Sequence, residues 1–347
     1  MAAYESNWTP PTGTDKKPGH MWPDWYPSLS PFRVSRNGKA WFQLLNTLAP
    51  YVGLWYLMVR SIQGGYPYVL TLALTLPAGA FLVRIFILFH DCVHDSLFTS
   101  RNMNTWAGNI LGLLVFTSFE DWRFSHLRHH GTCANLDKRG TGDIWTLTLT
   151  EYNALSRFEK WQYRLYRSPL VLVVAGAWIS FLFVNRFPTR QASRKGRMSV
   201  HFTNVMILGV LLLCMKLIGW QAFLLIQLPV IWIAGASGIW LFYVQHQFEG
   251  SYWARNSEWT PLRAAMDGSS FFKLPTVLRW FSGNIGYHHI HHLCPKIPNY
   301  NLKPCFDAVP ALQTKAPLTL VKSLSCYRLK LWDELQQIMI PFPDHAS

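Results

Sequence analysis

Four stretches of this chain, 41–59, 67–89, 199–219 and 221–244, are apolar over about the 20 residues that a helix needs to cross a bilayer. A soluble domain has little room to bury four such runs. Hydrophobic residues make up 50% of the 347 and charged ones only 14%, a balance that excludes an ordinary soluble globule. The 17 tryptophans fit a membrane protein as well, since indole favours the headgroup boundary.

Two further apolar runs, 106–119 and 169–184, are short, and charge decides how to read them. If 169–184 alone crossed, the loop carrying Arg186, Arg190, Arg194, Lys195 and Arg197 would lie on the opposite side from the second histidine cluster, around His126, against the positive-inside rule. With both runs non-spanning, four helices cross, both termini lie in the cytoplasm, and the outer loops hold only Arg60 and Lys216. The predicted fold is an all-α integral membrane protein of four transmembrane helices, with short interfacial or re-entrant helices and a cytoplasmic helical cap.

The +14 net charge needs no nucleic acid: no basic recognition helix is present, and the cations flank apolar runs. The expected organisation is one domain over 1–347. It comprises a cytoplasmic segment 1–40, a first membrane pair 41–89, a cytoplasmic or interfacial region 90–198, a second pair 199–244 and a cytoplasmic region 245–347. The polar, proline-dotted start predicts no cleaved leader, and the ending Pro-Asp-His-Ala-Ser carries no lipidation box. Apolar positions Val321, Leu324, Leu331, Leu335 and Ile338, preceded by Pro317, predict a helix over 318–339.

Histidine marks the chemistry. Nine of the 13 histidines fall in three clusters, His90-Asp-Cys-Val-His94, His126-Leu-Arg-His129-His130 and His288-His-Ile-His291-His292, and eight of them, all but His289, keep one spacing. Spacings of three and four residues stack side chains on one face of a helix, as a metal ion requires of helix-borne ligands. His289 falls about 100° off that face and reads as a supporting or surface residue. His246 follows the fourth apolar run and sits at the same membrane depth as the first cluster.

So many imidazoles together exceed one four-coordinate site, so two metals are implied; imidazole alone suits iron, copper, zinc or nickel. Asp91, Asp95 and Asp143, with Asp121 and Glu249, are candidates to accept the outer ring N–H of a ligand. The six cysteines form no paired spacing, so free thiols are expected; Cys92 and Cys294 adjoin the clusters. Arg84, inside the second run, is expected to snorkel or to pair with an acid near the site.

The clusters and the residues between them resemble the membrane fatty-acid desaturases, in particular the acyl-lipid delta-12 and omega-3 branch. The likeness runs from His90 to Phe306 and takes in Trp122, Gly142-Asp-Ile-Trp145, Gln245-His-Gln-Phe-Glu249 and Gly286-Tyr-His-His-Ile-His-His-Leu293. The resemblance implies iron ligands at His90, His94, His126, His129, His130, His288, His291 and His292, with His246 as a ninth. Stearoyl-CoA-type relatives place an asparagine four residues before that last histidine, and this chain has Phe242 there.

The activity implied is insertion of a cis double bond, of delta-12 type, into a lipid-linked acyl chain, using two irons, O2 and two electrons. An unactivated methylene has no proton acidic enough for a side-chain base, so a strong oxidant is needed. No dinucleotide fingerprint, iron–sulfur spacing or haem motif appears, so a separate ferredoxin or cytochrome-b5-like protein must donate the electrons. The substrate is expected to bend into an apolar tunnel, with Trp122, Trp145 and Tyr287 near it or packing beneath the ligand helices. A membrane hydroxylase or carotenoid ketolase would use a similar set, and a zinc-dependent lipid hydrolase or a metal carrier stands further off. The expected location is a bacterial inner membrane.

Overall fold

A computed structural model describes residues 22–140 and 142–343. The chain's first 21 residues and its last four, on which the leader and lipidation expectations rest, lie outside the described residues. The helices are α1 (Asn37–Gln63), α2 (Tyr68–Val93), α3 (Arg101–Leu114), α4 (Phe119–Thr132), α5 (Leu149–Ala154), α6 (Arg157–Tyr166) and the single turn α7 (Gly176–Trp178). There follow α8 (Arg194–Ile218), α9 (Trp220–His246), α10 (Pro261–Met266), α11 (Thr276–Phe281), α12 (His288–Leu293), α13 (Asn299–Ala308) and α14 (Leu320–Ser323).

Three helices, α2, α8 and α9, are long and apolar enough to cross a membrane. A fourth candidate is the pair Arg157–Tyr166 and Leu170–Arg186, bent by 59° at its break. At 27 residues α1 is long enough to cross as well, about 40 Å at 1.5 Å per residue, but its polar positions leave it outside that apolar set. The 106–119 run is divided: α3 ends at Leu114, Phe116 takes a positive φ of 54°, and α4 begins at Phe119.

α2 is the centre of the bundle, packed against α1, α3 and α9. Its sequence is apolar all round, as a helix enclosed by other helices requires. α8 contrasts with it: Phe202, Val205, Leu208, Leu212 and Leu217 are exposed, the pattern of a helix facing lipid. His90 lies in the last turn of α2 and His246 is the last residue of α9, so their C-terminal ends deliver both to one end of the bundle. Near the opposite end the Tyr68 hydroxyl donates to the Leu225 carbonyl at 2.9 Å.

The C-terminal region corrects one expectation. Residues 318–339 are not a helix but β3 (Leu318–Thr319), α14, a 3-10 turn and the strands β4 (Leu331–Asp333) and β5 (Ile338–Ile340). β4 pairs parallel with β1 (Leu147–Thr148) and antiparallel with β5, while β3 pairs with β2 (Phe272–Lys273). The Asp333 carboxylate accepts the N–H groups of Leu335 and Gln336, which turns the chain back. Leu331 and Trp332 are then buried, whereas Leu335 and Val321, both on the supposed apolar face, are 97% and 79% exposed. Strand pairing buries adjacent residues of β4 from both sides, which helical periodicity does not describe.

The Arg167 guanidinium fastens this region to the histidine-bearing end of α9. It is fully buried and donates to the Trp145 and Leu329 carbonyls, to Gln247 Oε1 at 2.9 Å and to the Tyr243 hydroxyl at 3.2 Å. Gln245 donates across to the Ile285 carbonyl at 3.0 Å, just ahead of α12. The two glutamines flanking His246 thus fix the end of its helix in two directions.

Candidate metal centre

All nine singled-out histidines meet at one end of the bundle, in two groups. His90, His94, His126, His130 and His291 each bring a ring nitrogen within 4.8 Å of the others. His129, Cys133, His246 and His292 form a second such group, and His288 Nε2 lies 3.0 Å from His246 Nε2. The helical spacing explains the division. On α4, His126 and His130 serve one group while His129, with Cys133 four residues on, serves the other; on α12, His291 joins the first and His292 the second.

Within the first group, Nε2 of His126 is 2.9 Å from that of His94 and 3.2 Å from that of His130, which is 3.0 Å from that of His291. Ligand nitrogens about 2.1 Å from one ion and at right angles lie about 3.0 Å apart, so these separations suit a shared metal. Burial and the neighbouring imidazoles push the pKa values of His94, His126, His130, His288, His291 and His292 well below the ordinary histidine value. The rings are neutral, as ligands must be.

The second group gives the clearest test of fit. The Asp143 carboxylate accepts from His129 Nδ1 at 2.6 Å, and the Gly268 carbonyl accepts from His246 Nδ1 at 3.1 Å. A carbonyl can only accept, and so can an ionised carboxylate, so in both rings a proton sits on Nδ1. Both Nε2 atoms are then bare lone pairs, and they face each other at 3.2 Å. A proton between them would create a buried imidazolium among other imidazoles; a cation satisfies both lone pairs. His292 Nε2 is likewise buried without a hydrogen-bond partner among the described residues.

Local sequence builds this anchor. Gly142 has φ +73°, and a Cβ there would stand 3.1 Å from both His129 Cβ and the Ser125 carbonyl oxygen. Glycine therefore lets the loop lie flat on α4 and carry Asp143 to His129. The Trp122 ring stacks on His126, with centroids 4.3 Å apart and planes at 12°, and Phe242 sits 5.2 Å from the rings of both His129 and His246.

The other carboxylates have different work. Asp91 accepts from the backbone N–H and the side chain of Asn299, both at 2.8 Å, and stands 3.7 Å from His90 Nδ1. Asp95 bridges Arg123 at 2.6 Å and, more loosely, Lys296 and Arg101. Asp121 accepts from Thr189, and Glu249 is exposed.

His289 is not a surface residue. It is fully buried with Nε2 3.1 Å from the Leu312 carbonyl oxygen, and burial lowers its pKa to about 4. Cys92 lies in the apolar core and Cys294 packs under α13. The cysteine that reaches the histidines is Cys133, whose Sγ is 3.4 Å from His246 Nδ1; its four-residue distance from His129 was the available signal. Burial, reinforced by Asp143, pushes its thiol pKa well up.

A cavity of about 550 Å³ opens onto the histidines and is lined by His90, His126, His288, Trp122 and Phe242. On α9 its lining runs from Ile231 to Gln245, about 21 Å of helix. That depth exceeds one leaflet's half of a hydrocarbon core of about 30 Å. The walls are mostly apolar and include the π-helical stretches of Leu170–Arg186. Trp145 packs on Tyr163 and Tyr166, and Tyr287 stacks on Phe271; neither lines this cavity.

Comparison with known proteins adds a family. The family model described as fatty acid desaturase matches residues 65–322. A Bacillus subtilis protein named fatty acid desaturase is 45% identical over 314 residues, covering 90% of this chain and 89% of its own length. An sn-1 oleoyl-lipid 12-desaturase of Picosynechococcus is 26% identical, covering 78% of this chain and 76% of its own length. An sn-1 acyl-lipid omega-3 desaturase (ferredoxin) of Synechocystis is 25% identical, covering 67% and 65%.

Proposed function

Because the chain belongs to the fatty acid desaturase family and is therefore an oxidoreductase, we propose that it inserts a cis double bond into a lipid-linked acyl chain, with delta-12 regiochemistry. His90, His94, His126, His129, His130, His246, His288, His291 and His292 would hold two irons. The names of the cyanobacterial relatives support an acyl-lipid substrate, and one of them names ferredoxin. The electron donor is a separate ferredoxin or cytochrome-b5-like protein. The reading of charge supports α1, α2, α8 and α9 as the crossing helices, with the histidines at the cytoplasmic face of a bacterial inner membrane.

The observation that carries this reading is the opening of the deep apolar cavity onto the histidine groups. Bound there, the iron pair supplies the oxidising power, with O2, that an unactivated C–H bond demands. The reaction balances when a –CH2–CH2– unit loses two hydrogens and O2, two electrons and two protons from solvent complete two waters. The protein's residues position and exclude. Apolar walls hold the acyl chain and keep bulk water from the reacting carbons. Trp122 fixes the His126 ring from the cavity side. Asp143 and the Gly268 carbonyl hold the Nδ1 protons of His129 and His246, keeping each Nε2 free for metal.

Expression in a host that lacks polyunsaturated lipids, with a compatible reductant, tests this through fatty-acid analysis and double-bond location. The expected product is a diene from oleoyl lipids with the new bond at carbon 12. An unchanged profile from iron-loaded, reduced enzyme, or a hydroxylated product, overturns it.

A further inference from the structure

A second cavity, of about 380 Å³, lies apart from the acyl cavity and shares no lining residue with it. Its wall carries four cations, Lys39, Arg84, Arg279 and Lys303, together with the amides of Gln43 and Asn284. Lys303 also pairs with Asp307 one turn along α13, while Lys39 lies over the Tyr300 ring at 5.2 Å.

Arg84 is the informative member. It is 97% buried by its 3% exposure, lies within α2, and no carboxylate pairs with it among the described residues. Its Nε donates to Thr47 Oγ1 at 3.0 Å, Nη1 donates to the Trp280 carbonyl, and the guanidinium stacks on the Trp280 ring at 3.9 Å. These neutral partners orient the cation without neutralising it. Asp91 attracts it only from beyond ion-pair distance and is engaged by Asn299, and of the three further cations only Lys303 has a carboxylate partner, so the site stays net positive and its missing component is an anion.

Position selects the kind of anion. Arg84 precedes His90 by six residues, about 9 Å along α2, so the cavity sits just membrane-side of the histidines. Phe42 of its lining is 66% exposed, and on two of the helices that wall it Leu45 of α1 and Val277 and Leu278 of α11 are exposed apolar residues. A soluble anion has no use for such a surface; a lipid lays its chains on it. A choline group would meet the same cations and be repelled.

We propose that this pocket binds the phosphate of an anionic phospholipid, a lipid distinct from the acyl chain in the histidine-facing cavity. The site abuts the metal region through Asn299, which bonds both Gln43 and Asp91 and whose carbonyl accepts from Asn284.

The test is native mass spectrometry of the iron-loaded full chain in detergent, offered phosphatidylglycerol and phosphatidylcholine of identical acyl composition. Phosphatidylglycerol should be retained preferentially. The double variant K39Q/R279Q should weaken its retention about 25-fold, at roughly fivefold for each cation removed near a membrane surface. Should that variant fail to fold, Lys303→Gln alone should weaken retention about fivefold. Equal retention of the two lipids, or variants that hold phosphatidylglycerol as the parent does, overturns the proposal. Displacement of the lipid by millimolar inorganic phosphate also overturns it, since the site would then belong to a soluble anion.

Discussion

The two nitrogen groups draw on the same helices but are held in different ways. In the group of His90, His94, His126, His130 and His291, the outer nitrogens of His90 and His130 have no hydrogen-bond partner among the described residues. Its rings are set by packing, above all Trp122 against His126. In the group of His129, His246 and His292, a carboxylate and a carbonyl fix two of the rings by hydrogen bonds at Nδ1. One half of the centre is positioned by shape and the other by proton placement. A change in polarity should therefore damage the second half more, and a change in shape the first.

Removing a ligand from each half tests the division most severely. His126→Ala and His246→Ala should both take product formation below detection, and each should lose iron preferentially from its own half, read as iron per chain. Equal and complete loss from both variants would mean that the halves are one inseparable site. Next in size is the contrast between carboxylates. Asp143→Asn should cost about 10–100-fold in iron affinity or turnover by releasing the His129 tautomer. Asp91→Asn, whose carboxylate serves Asn299, should keep its iron and lose about 1–3 kcal/mol of stability, read as a lowered Tm.

Acid gives a graded probe. The imidazoles of His94, His126, His130 and His291 have folded pKa values held well below the ordinary value by burial and by one another. Below about pH 6.5 the unfolded chain takes up protons that the fold refuses. Stability of the metal-stripped protein should be level above pH 6.5 and fall with acidification by up to about 1.4 kcal/mol per pH unit per imidazole. A Tm that stays constant from pH 7 to pH 5 would contradict the buried, neutral state of these rings. The smallest effects belong to neighbours that are not ligands. Cys133→Ser should retain iron, and the parent should show no sulfur-to-iron absorption band, because Cys133 Sγ meets His246 on its Nδ1 side, away from the Nε2 that faces the other histidines. His289→Ala should keep full iron and cost only the stability of its bond to the Leu312 carbonyl.

Legibility in the sequence followed the range of the interactions involved. The apolar runs appear as α1, α2, α8 and α9 because burial in lipid or among helices needs continuous apolar length, which composition displays. The i, i+4 spacing placed His126 and His130 together on α4, but not the sharing of α4 between two groups, since that depends on α2, α9 and α12 meeting it from different sides. Asp143 and Gly268 reach their histidines through loops, and periodicity says nothing about loops. Residues 318–339 misled because Leu331 and Trp332 are buried by pairing with β1, more than 180 residues earlier. His289 misled for a simpler reason: the side of a helix away from the ligands is here also interior, closed by Leu312.

The central claim is that one chain holds two metal ions in two nitrogen-rich halves. Metal analysis of the purified full-length protein by mass spectrometry, against protein quantified by amino-acid analysis, addresses it without recourse to activity. The account predicts two irons per chain. One iron per chain at saturation, or zinc in place of iron, would contradict it.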